Sequence, residues 1–489
     1  MLGPVTNPDR LSGLDTSFLA LEDAGAHMHV GSVMLFEGPA PAYDELLAAL
    51  ESRLHLVPRY RQKLAFPPLQ AGRPVWVDDP HFNPRYHLRH TGLPAPAGVE
   101  ELRTLAGRLF AQRLDRSKPL WELWLVDRVG EDHFAIVSKT HHALVDGISG
   151  VDIATVLFDL EPEPAPSTDA PRPWFPRPEP TAASLLADTL AELSTPGGLI
   201  DGVRDAVEHP GNTLGALGGL LSIARVSGLP GLGGAPRSPL NVSIGPHRRF
   251  TWVEGDLGRF KEIKSALGGT VNDVVLTVVT GALREYLIRR GNDVSALELK
   301  AMVPVSVRAE AERGALGNRV TTMYAPLPVY AEDPAERFAI VHDAMAGLKE
   351  SGQAVGAEVL TKLTGFAPPT VLAQAARLQS QQRLFNLTVT NVPGPQFPLY
   401  LLGRRLRALY PQVPLTKNTA LGIAIMSYDG ALDFGLLGDY DAMSDLERLA
   451  ADLEAAIDEL ATAAGASAGQ PKRNGRIPRG RERDAARAR

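Results

Sequence analysis

An α/β protein of two mixed-sheet domains is the fold class that the sequence predicts, on three observations. The chain has 489 residues, more than one core usually holds at about 100–200 residues per domain. Each half mixes apolar residues at helical spacing with β-branched, strand-like runs. Between the halves lies a stretch too rich in proline and glycine to be a packed element.

That stretch opens with residues 161–180, EPEPAPSTDAPRPWFPRPEP, where eight of twenty residues are proline. Each proline fixes φ and removes a backbone donor, so an extended linker is expected. Two weakly amphipathic segments follow, near 182–194 and 212–227, and then the glycine-rich Gly228–Pro239. The expected organisation is an N-terminal domain over 1–160, a Pro/Gly-rich linker over 161–240, a C-terminal domain over 241–463, and a basic, disordered tail over 464–489.

In the first half, Tyr43–Leu56 and Val99–Leu114 repeat apolar residues at helical spacing. Leu123–Val129 and His133–Thr140 read as a hairpin around Gly130-Glu131-Asp132, and Gly150–Leu160 as a helix. In the second half, Leu299–Val307 reads as a strand, Ala335–Lys349 as a helix and Asn386–Thr390 as a short strand. Ala420–Met426 and Ala431–Leu437 flank Asp429-Gly430, a hairpin signal because both turn positions need positive φ. Ser444–Leu460 reads as a helix opened by a Ser444/Glu447 capping box. Residues 271–287, VNDVVLTVVTGALREYL, carry both signals, strand in the β-branched first half and helix in the second.

Composition narrows the function. Fifty basic against 56 acidic residues leave a net charge of −6 and no general attraction to nucleic acid. The balance is uneven: Pro471–Arg489 holds eight Lys/Arg against two Asp/Glu, a local +6 that leaves −12 for the rest. Cysteine is absent, which removes disulfides, thiolate metal sites and any cysteinyl intermediate. The opening MLGPVTNPDR is polar and unlike a secretory signal, so a cytoplasmic protein is expected.

The chemistry concentrates in Ser138–Gly150, SKTHHALVDGISG. An apolar strand runs into two histidines, with an acid four residues after the second and a glycine behind it. Adjacent side chains on a strand point to opposite faces, so His141 and His142 cannot share one task while the strand persists. A neutral imidazole accepts a hydroxyl proton near pH 7, which suits a general base. Three readings fit: strand-end histidines without a catalytic task, a metal site of His141, His142 and Asp146, or acid–base catalysis. The metal reading lacks a second His/Glu cluster to complete its ligands.

HHALVDG resembles the HHxxxDG motif of the CoA-dependent acyltransferase superfamily, and the chain is similar to the bacterial wax ester synthase/diacylglycerol acyltransferase family. Leu14-Asp15-Thr16-Ser17-Phe18-Leu19 resembles that family's opening and Pro119-Leu120-Trp121 its PLW motif. Asn272-Asp273 resembles its ND motif, Pro304-Val305-Ser306-Val307-Arg308 a segment that follows, and Asn391-Val392-Pro393-Gly394-Pro395 its late NVPGP. Each motif is weak alone; six in the family's order are specific.

The resemblance implies two chloramphenicol-acetyltransferase-like domains with an active-site tunnel at their interface. It implies an O-acyltransferase in which His142 is the general base, His141 is secondary and Asp146 organises the loop by pairing with an arginine, for which Arg308 is the candidate. The acyl donor is a fatty acyl-CoA, a co-substrate rather than a bound cofactor, and no metal is required. The acceptor is the hydroxyl of diacylglycerol, of a long-chain alcohol, or of both, attacking the thioester directly. Asn272 and Asn391 are substrate-binding candidates, although a turn or capping role competes for each. The alternatives are a superfamily acyltransferase with another acceptor and a catalytically silent acyl-CoA- or lipid-binding paralogue.

Remaining signals read as structure. Trp121 precedes an apolar strand and belongs to a core. Asp433-Phe434-Gly435 resembles a motif of plant acyltransferases but falls on a hairpin strand. Gly465-Ala466-Ser467-Ala468-Gly469 matches GxSxG but follows a helix rather than a strand. The hydrophobic products give a reason for peripheral contact with the inner membrane face or lipid inclusions, through the apolar Leu214–Leu232 and the basic tail.

Overall fold

Two six-stranded mixed sheets organise the computed structural model, which describes residues 9–145, 157–163, 174–194, 234–306, 320–350 and 384–466. The first half contributes α1 (Gly13–Leu21), β1 (His29–Glu37), α2 (Tyr43–Arg53), β2 (Gln62–Ala65), β3 (Val75–Asp78), α3 (Pro84–His87) and β4 (Leu88–Thr91). It continues with α4 (Val99–Phe110), β5 (Trp121–Val129), β6 (His133–His141) and α5 (His142–Val145), and α6 (Ala182–Ser194) follows. The second half contributes β7 (Arg248–Val253), α7 (Leu257–Leu267), α8 (Val271–Arg289), β8 (Glu298–Ser306), β9 (Val320–Pro328) and α9 (Pro334–Glu350). It ends with β10 (Leu387–Pro393), β11 (Tyr400–Leu401), β12 (Arg404–Gln412), β13 (Leu421–Tyr428), β14 (Ala431–Asp439) and α10 (Leu446–Ala463).

The mixed α/β class and both predicted hairpins are present. β5 and β6 pair antiparallel across Gly130, at φ 66°. β13 and β14 pair across Asp429 (φ 44°) and Gly430 (φ 83°), the two positive values that the sequence signal demands.

The sheets do not partition as the chain does. The first runs β11-β12-β1-β6-β5-β4, so two strands from the second half complete the sheet of the first. The second runs β7-β14-β13-β10-β8-β9, with the parallel pairs β8/β10 and β10/β13 at its centre. Helix α4 lies between the two. Its Leu102, Ala106, Leu109 and Phe110 meet Val33, Leu35, Ala135 and Val137 of the first sheet, and also Phe250, Trp252 and Leu437 of the second. Gly107 makes this approach possible, because a Cβ there would sit 2.9 Å from the Arg248 carbonyl oxygen.

Three elements differ from expectation. Residues 271–287 form one helix, α8, opened by a Thr270/Asp273 capping box. It is buried on nearly every side, among the sheet, α9 and α10. Tertiary burial there outweighs β-branched propensity. Helix α10 begins at Leu446, and the Ser444/Glu447 box does not form. Asp445 stands at the cap instead, with its carboxylate accepting from Tyr286 Oη (3.0 Å) and Arg290 (2.8 Å). Of the helix expected over Gly150–Leu160, residues 150–156 lie outside the described residues. Asp159 bridges Tyr400 rather than continuing a helix.

The described part of the proline-rich stretch is docked. The Arg61 guanidinium lies over the Trp174 ring at 4.8 Å, and Arg177 reaches Asp9 and Asp78. Leu185 of α6 is buried with Ala65, Val75 and Val77 of the β2–β3 hairpin. Residues 195–233, including the segment expected near 212–227, lie outside the described residues, as does the tail from 467. Among the described residues no single helix is long and apolar enough to cross a membrane.

The two sheets approach each other closely at Gly435, on the Asp433-Phe434-Gly435 hairpin strand. A Cβ there would sit 1.7 Å from the Pro411 carbonyl oxygen of β12. Gly435→Ala is therefore expected to destabilise the protein by about 3 kcal/mol or more. The check is the urea midpoint, read at constant slope against wild type.

Candidate active site

Strand β6 ends at His141, and His142 is the first residue of α5. The two histidines diverge because the backbone changes from strand to helix between them, rather than through strand alternation alone. Alternation does set the face of His141. Lys139, two residues earlier, points to the α4 side and donates to the Leu109 (3.2 Å) and Gln112 (2.9 Å) carbonyls at the end of that helix. His141 follows it to the same side and is 1% exposed.

His141 is turned into the interior, with one ring nitrogen hydrogen-bonded and the other beside a carboxylate. Its Nδ1 accepts the Ala143 N–H at 3.1 Å, and its Nε2 lies 3.5 Å from Glu22 Oε2. Burial pushes its pKa down, against the upward pull of Glu22, so the ring is neutral with its single proton on Nε2. Its backbone N–H donates to the Leu120 carbonyl at 2.9 Å. This is the work of the PLW motif: Leu120 holds the histidine strand, while Trp121 is fully buried, donates to the Tyr60 carbonyl (2.8 Å) and stacks on His87 at 4.4 Å.

His142 is half-buried. Its backbone N–H donates to the Met28 carbonyl at 2.8 Å, and its ring stacks on Phe18 with centroids 4.0 Å apart. Phe18 belongs to the Leu14–Leu19 motif, which forms α1 under a Ser12 cap. The opening motif, PLW and HHxxxDG thus converge on one place.

Glu22, which ends α1, organises the far side of His141. Its side chain is 1% exposed, Arg113 Nε donates to Oε1 (3.3 Å) and Arg116 Nε to Oε2 (2.9 Å). Burial alone would raise its pKa, but His141 and Arg116 at its oxygens hold it well below the usual carboxylate range. His29, paired with His141 in the β1–β6 register, lies 3.8 Å from Glu22 Oε1, and its ring sits 6.2 Å from that of His141. Burial, the nearby Lys139 charge and His141 hold His29 neutral. His27 stacks on His29 at 5.7 Å. No sequence motif marks Glu22, His27 or His29; the only available signal was the two-residue spacing of the last two at a strand start. Among the described residues, no group of three or more His, Asp and Glu side chains is placed to hold a metal ion.

The other predicted site residues are less closely drawn in. Asp146 and Arg308 lie outside the described residues. Asn272 is the second residue of α8, but the capping in that motif belongs to Asp273, which also accepts from His342 Nδ1 at 3.0 Å. Asn391 is half-buried in β10, in register with Ile425 of β13.

Comparison with known proteins decides the family. A model of the wax ester synthase/diacylglycerol acyltransferase catalytic domain matches residues 11–275, and one of the WS/DGAT C-terminal domain matches residues 316–461. The chain belongs to the wax ester synthase/diacylglycerol acyltransferase family. It is 33% identical over 464 residues to a putative diacylglycerol O-acyltransferase of Mycobacterium tuberculosis, covering 92% of this chain and 90% of that protein. A probable diacylglycerol O-acyltransferase of the same species is 32% identical, covering 92% of this chain and 96% of that one. The solved wax ester synthase/diacylglycerol acyltransferase from Marinobacter aquaeolei VT8 superposes with a TM-score of 0.64 at 28% identity, covering 93% of this chain and all of that one. The first condensation domain of the calcium-dependent antibiotic synthetase shares the fold, at TM-score 0.56 and 18% identity, over 94% of this chain and 97% of that one. The paired α/β domains expected from the resemblance are thus those of the family.

Buried neutral histidines give the family member a pH signature. Burial lowers His29 and His141, and it pushes His87 down to about 4 against its bond to the Trp121 carbonyl. In the unfolded chain each titrates near ~6.5. Their contribution is therefore present above that value and lost as pH falls toward the folded pKa, at about 1.4 kcal/mol per pH unit for each such histidine. The urea midpoint should fall steadily from pH 7 to pH 5. His87→Gln, whose amide can still donate to Trp121, should flatten that slope.

Proposed function

We propose that the protein transfers a fatty acyl group from acyl-CoA to the hydroxyl of diacylglycerol, of a long-chain alcohol, or of both, with His142 as general base. The observation that carries this reading is the unequal fate of the two histidines. His141 has both ring nitrogens directed at protein groups in the interior, whereas His142 starts a helix, half-buried, with its ring set against Phe18.

In the proposed reaction an imidazole nitrogen of His142 takes the acceptor's hydroxyl proton as the oxygen attacks the thioester carbonyl. The tetrahedral intermediate collapses, the C–S bond breaks, and the leaving CoA thiolate takes the proton from the imidazolium. The base returns to its starting state and no acyl-enzyme forms, consistent with a chain that lacks cysteine. Asp146, paired with Arg308, serves the loop behind His142 without touching substrate. Asn272 and Asn391 are the candidates for contact with substrate or oxyanion. A positioned base supplies a factor of about 10²–10⁴; alignment of the two substrates and stabilisation of the oxyanion supply the rest.

Release of CoA from palmitoyl-CoA, followed with a thiol reagent and with diacylglycerol or hexadecanol as acceptor, tests the reading. Acceptor-dependent release should fall about 100-fold or more in a folded His142→Ala variant. The lipid products identify the acceptor. Release without an acceptor would indicate thioester hydrolysis, unchanged release in the variant would remove His142 from the role, and binding without release would leave a silent lipid-binding protein.

The lipid product is insoluble in water, so in this reading the enzyme works at a lipid surface, held there by the apolar stretch around 214–232 and the basic tail. Co-flotation of the full chain with anionic liposomes is expected, weakened by high salt because each basic residue near the surface adds about 1 kcal/mol of screened attraction. A chain that stays in the aqueous fraction at low salt overturns it.

A further inference from the structure

We infer that Glu22 is a positioning residue for His142, acting through His141 and through Phe18. The inference rests on the proposed role of His142 but begins from geometry that is independent of it.

The first route runs along the chain. Ala143 N–H lies within the first turn of α5 and donates to His141 Nδ1 at 3.1 Å. A neutral imidazole that accepts at Nδ1 must carry its proton at Nε2. That proton faces Glu22 Oε2, 3.5 Å away. The carboxylate therefore selects the tautomer that lets His141 cap the very turn opened by His142. With the other tautomer, two N–H groups would face each other at Ala143 and the turn would lose its acceptor.

The second route runs through α1. Arg116 donates both to Glu22 and to the Leu19 carbonyl at 2.8 Å, and the Glu22 N–H donates to the Phe18 carbonyl at 3.2 Å. The same carboxylate thus anchors the last turn of α1, where Phe18 packs on the His142 ring. One buried charge fixes both the backbone that presents the base and the surface against which it lies.

The charged and titratable groups facing this carboxylate come from every element around it. Arg113 and Arg116 come from the segment after α4, His27 and His29 from β1 and its lead-in, and His141 from β6, whose Lys139 pairs instead with Glu122 of β5 at 3.2 Å. Arg248 of β7 bonds the Gly25 carbonyl close by. With the carboxylate ionised, one of the two guanidinium charges is offset. With an amide in its place neither is, and both disfavour an imidazolium nearby.

Glu22→Gln keeps the shape and removes the charge. Its kcat should fall about 10- to 100-fold with KM for acyl-CoA nearly unchanged, as for a misplaced base. The acid limb of its kcat/KM profile should move to lower pH. Glu22→Asp, which keeps the charge, should leave the limb in place and restore part of kcat. In ¹⁵N spectra of histidine-labelled protein, His141 should show a single Nε2–H tautomer in wild type and a mixture in Glu22→Gln. Thermal unfolding confirms that the variants are folded. A folded Glu22→Gln with the wild-type tautomer and an unmoved limb would overturn the inference. Loss of the tautomer in a chain inactive towards every acceptor would instead sink the acyl-transfer reading and leave the positioning of the imidazole standing.

Discussion

Pairing of β12 with β1 is the interaction on which the rest of the molecule depends. Gly31–Phe36 pair with residues 406–412 on one side, and β1 pairs with the histidine strand β6 on the other. Without β12, β1 would be the edge of the first sheet, one strand from the catalytic candidates, with its backbone groups unpaired. With it, β6 lies at least two strands from either edge of the sheet. The same strand crosses to the second domain: Tyr410 stacks on Trp252 at 4.3 Å and its hydroxyl donates to Glu254 at 2.5 Å. The domain carrying HHxxxDG is therefore incomplete without a segment that the chain makes about 260 residues later. A protein cut in the proline-rich stretch would separate two halves of one sheet, not two independent folds.

Periodicity revealed the elements better than it revealed their partners. The β5–β6 hairpin was legible because both of its strands are apolar and their connection is three residues long. The β13–β14 hairpin was legible because Asp-Gly admits two positive φ values. Helix α8 defeated the pattern for a physical reason: a helix buried all round has no polar face to mark its period, and valine in such a helix is chosen for packing. The Ser444 box failed because Asp445, one residue on, has better use for its carboxylate at Tyr286 and Arg290. β12 itself turns Ala408 and Tyr410 to one packed face and, across a bulge, Leu406 to the other, a strand signal that says nothing about pairing with a strand at the other end of the chain. Likewise, nothing in the sequence links Asn241 to Asn386, yet their side chains share a 2.6 Å hydrogen bond that ties residues 236–241 to the start of β10.

The site divides the same way. His141, His142 and their unlike surroundings were readable from one short string, because strand and turn chemistry are local. Phe18 and Leu120 lay inside quoted motifs, but their tasks, a ring beneath an imidazole and a carbonyl holding a strand, appear only in three dimensions. Glu22 had no signature at all. An isolated glutamate after an apolar helix is an ordinary solvated residue in a sequence, and only the return of the segment after α4 with Arg113 and Arg116, and of β6 with His141, makes it a buried charge.

That buried charge is an odd choice if stability were the only aim. Removing a carboxylate from water beside two part-exposed guanidiniums costs more than an apolar cluster of the same volume, and such networks are seldom net stabilisers. A hydrophobic cluster, however, cannot choose between the two tautomers of an imidazole. A carboxylate can, because it accepts from N–H and repels a lone pair. The tautomer of His141 decides whether the first turn of α5 has its acceptor, and so whether the next residue is held or loose. Electrostatic order is thus concentrated beside the residue whose orientation chemistry would need most, and the cost is borne where α4, β1 and β6 already pack tightly enough to carry it.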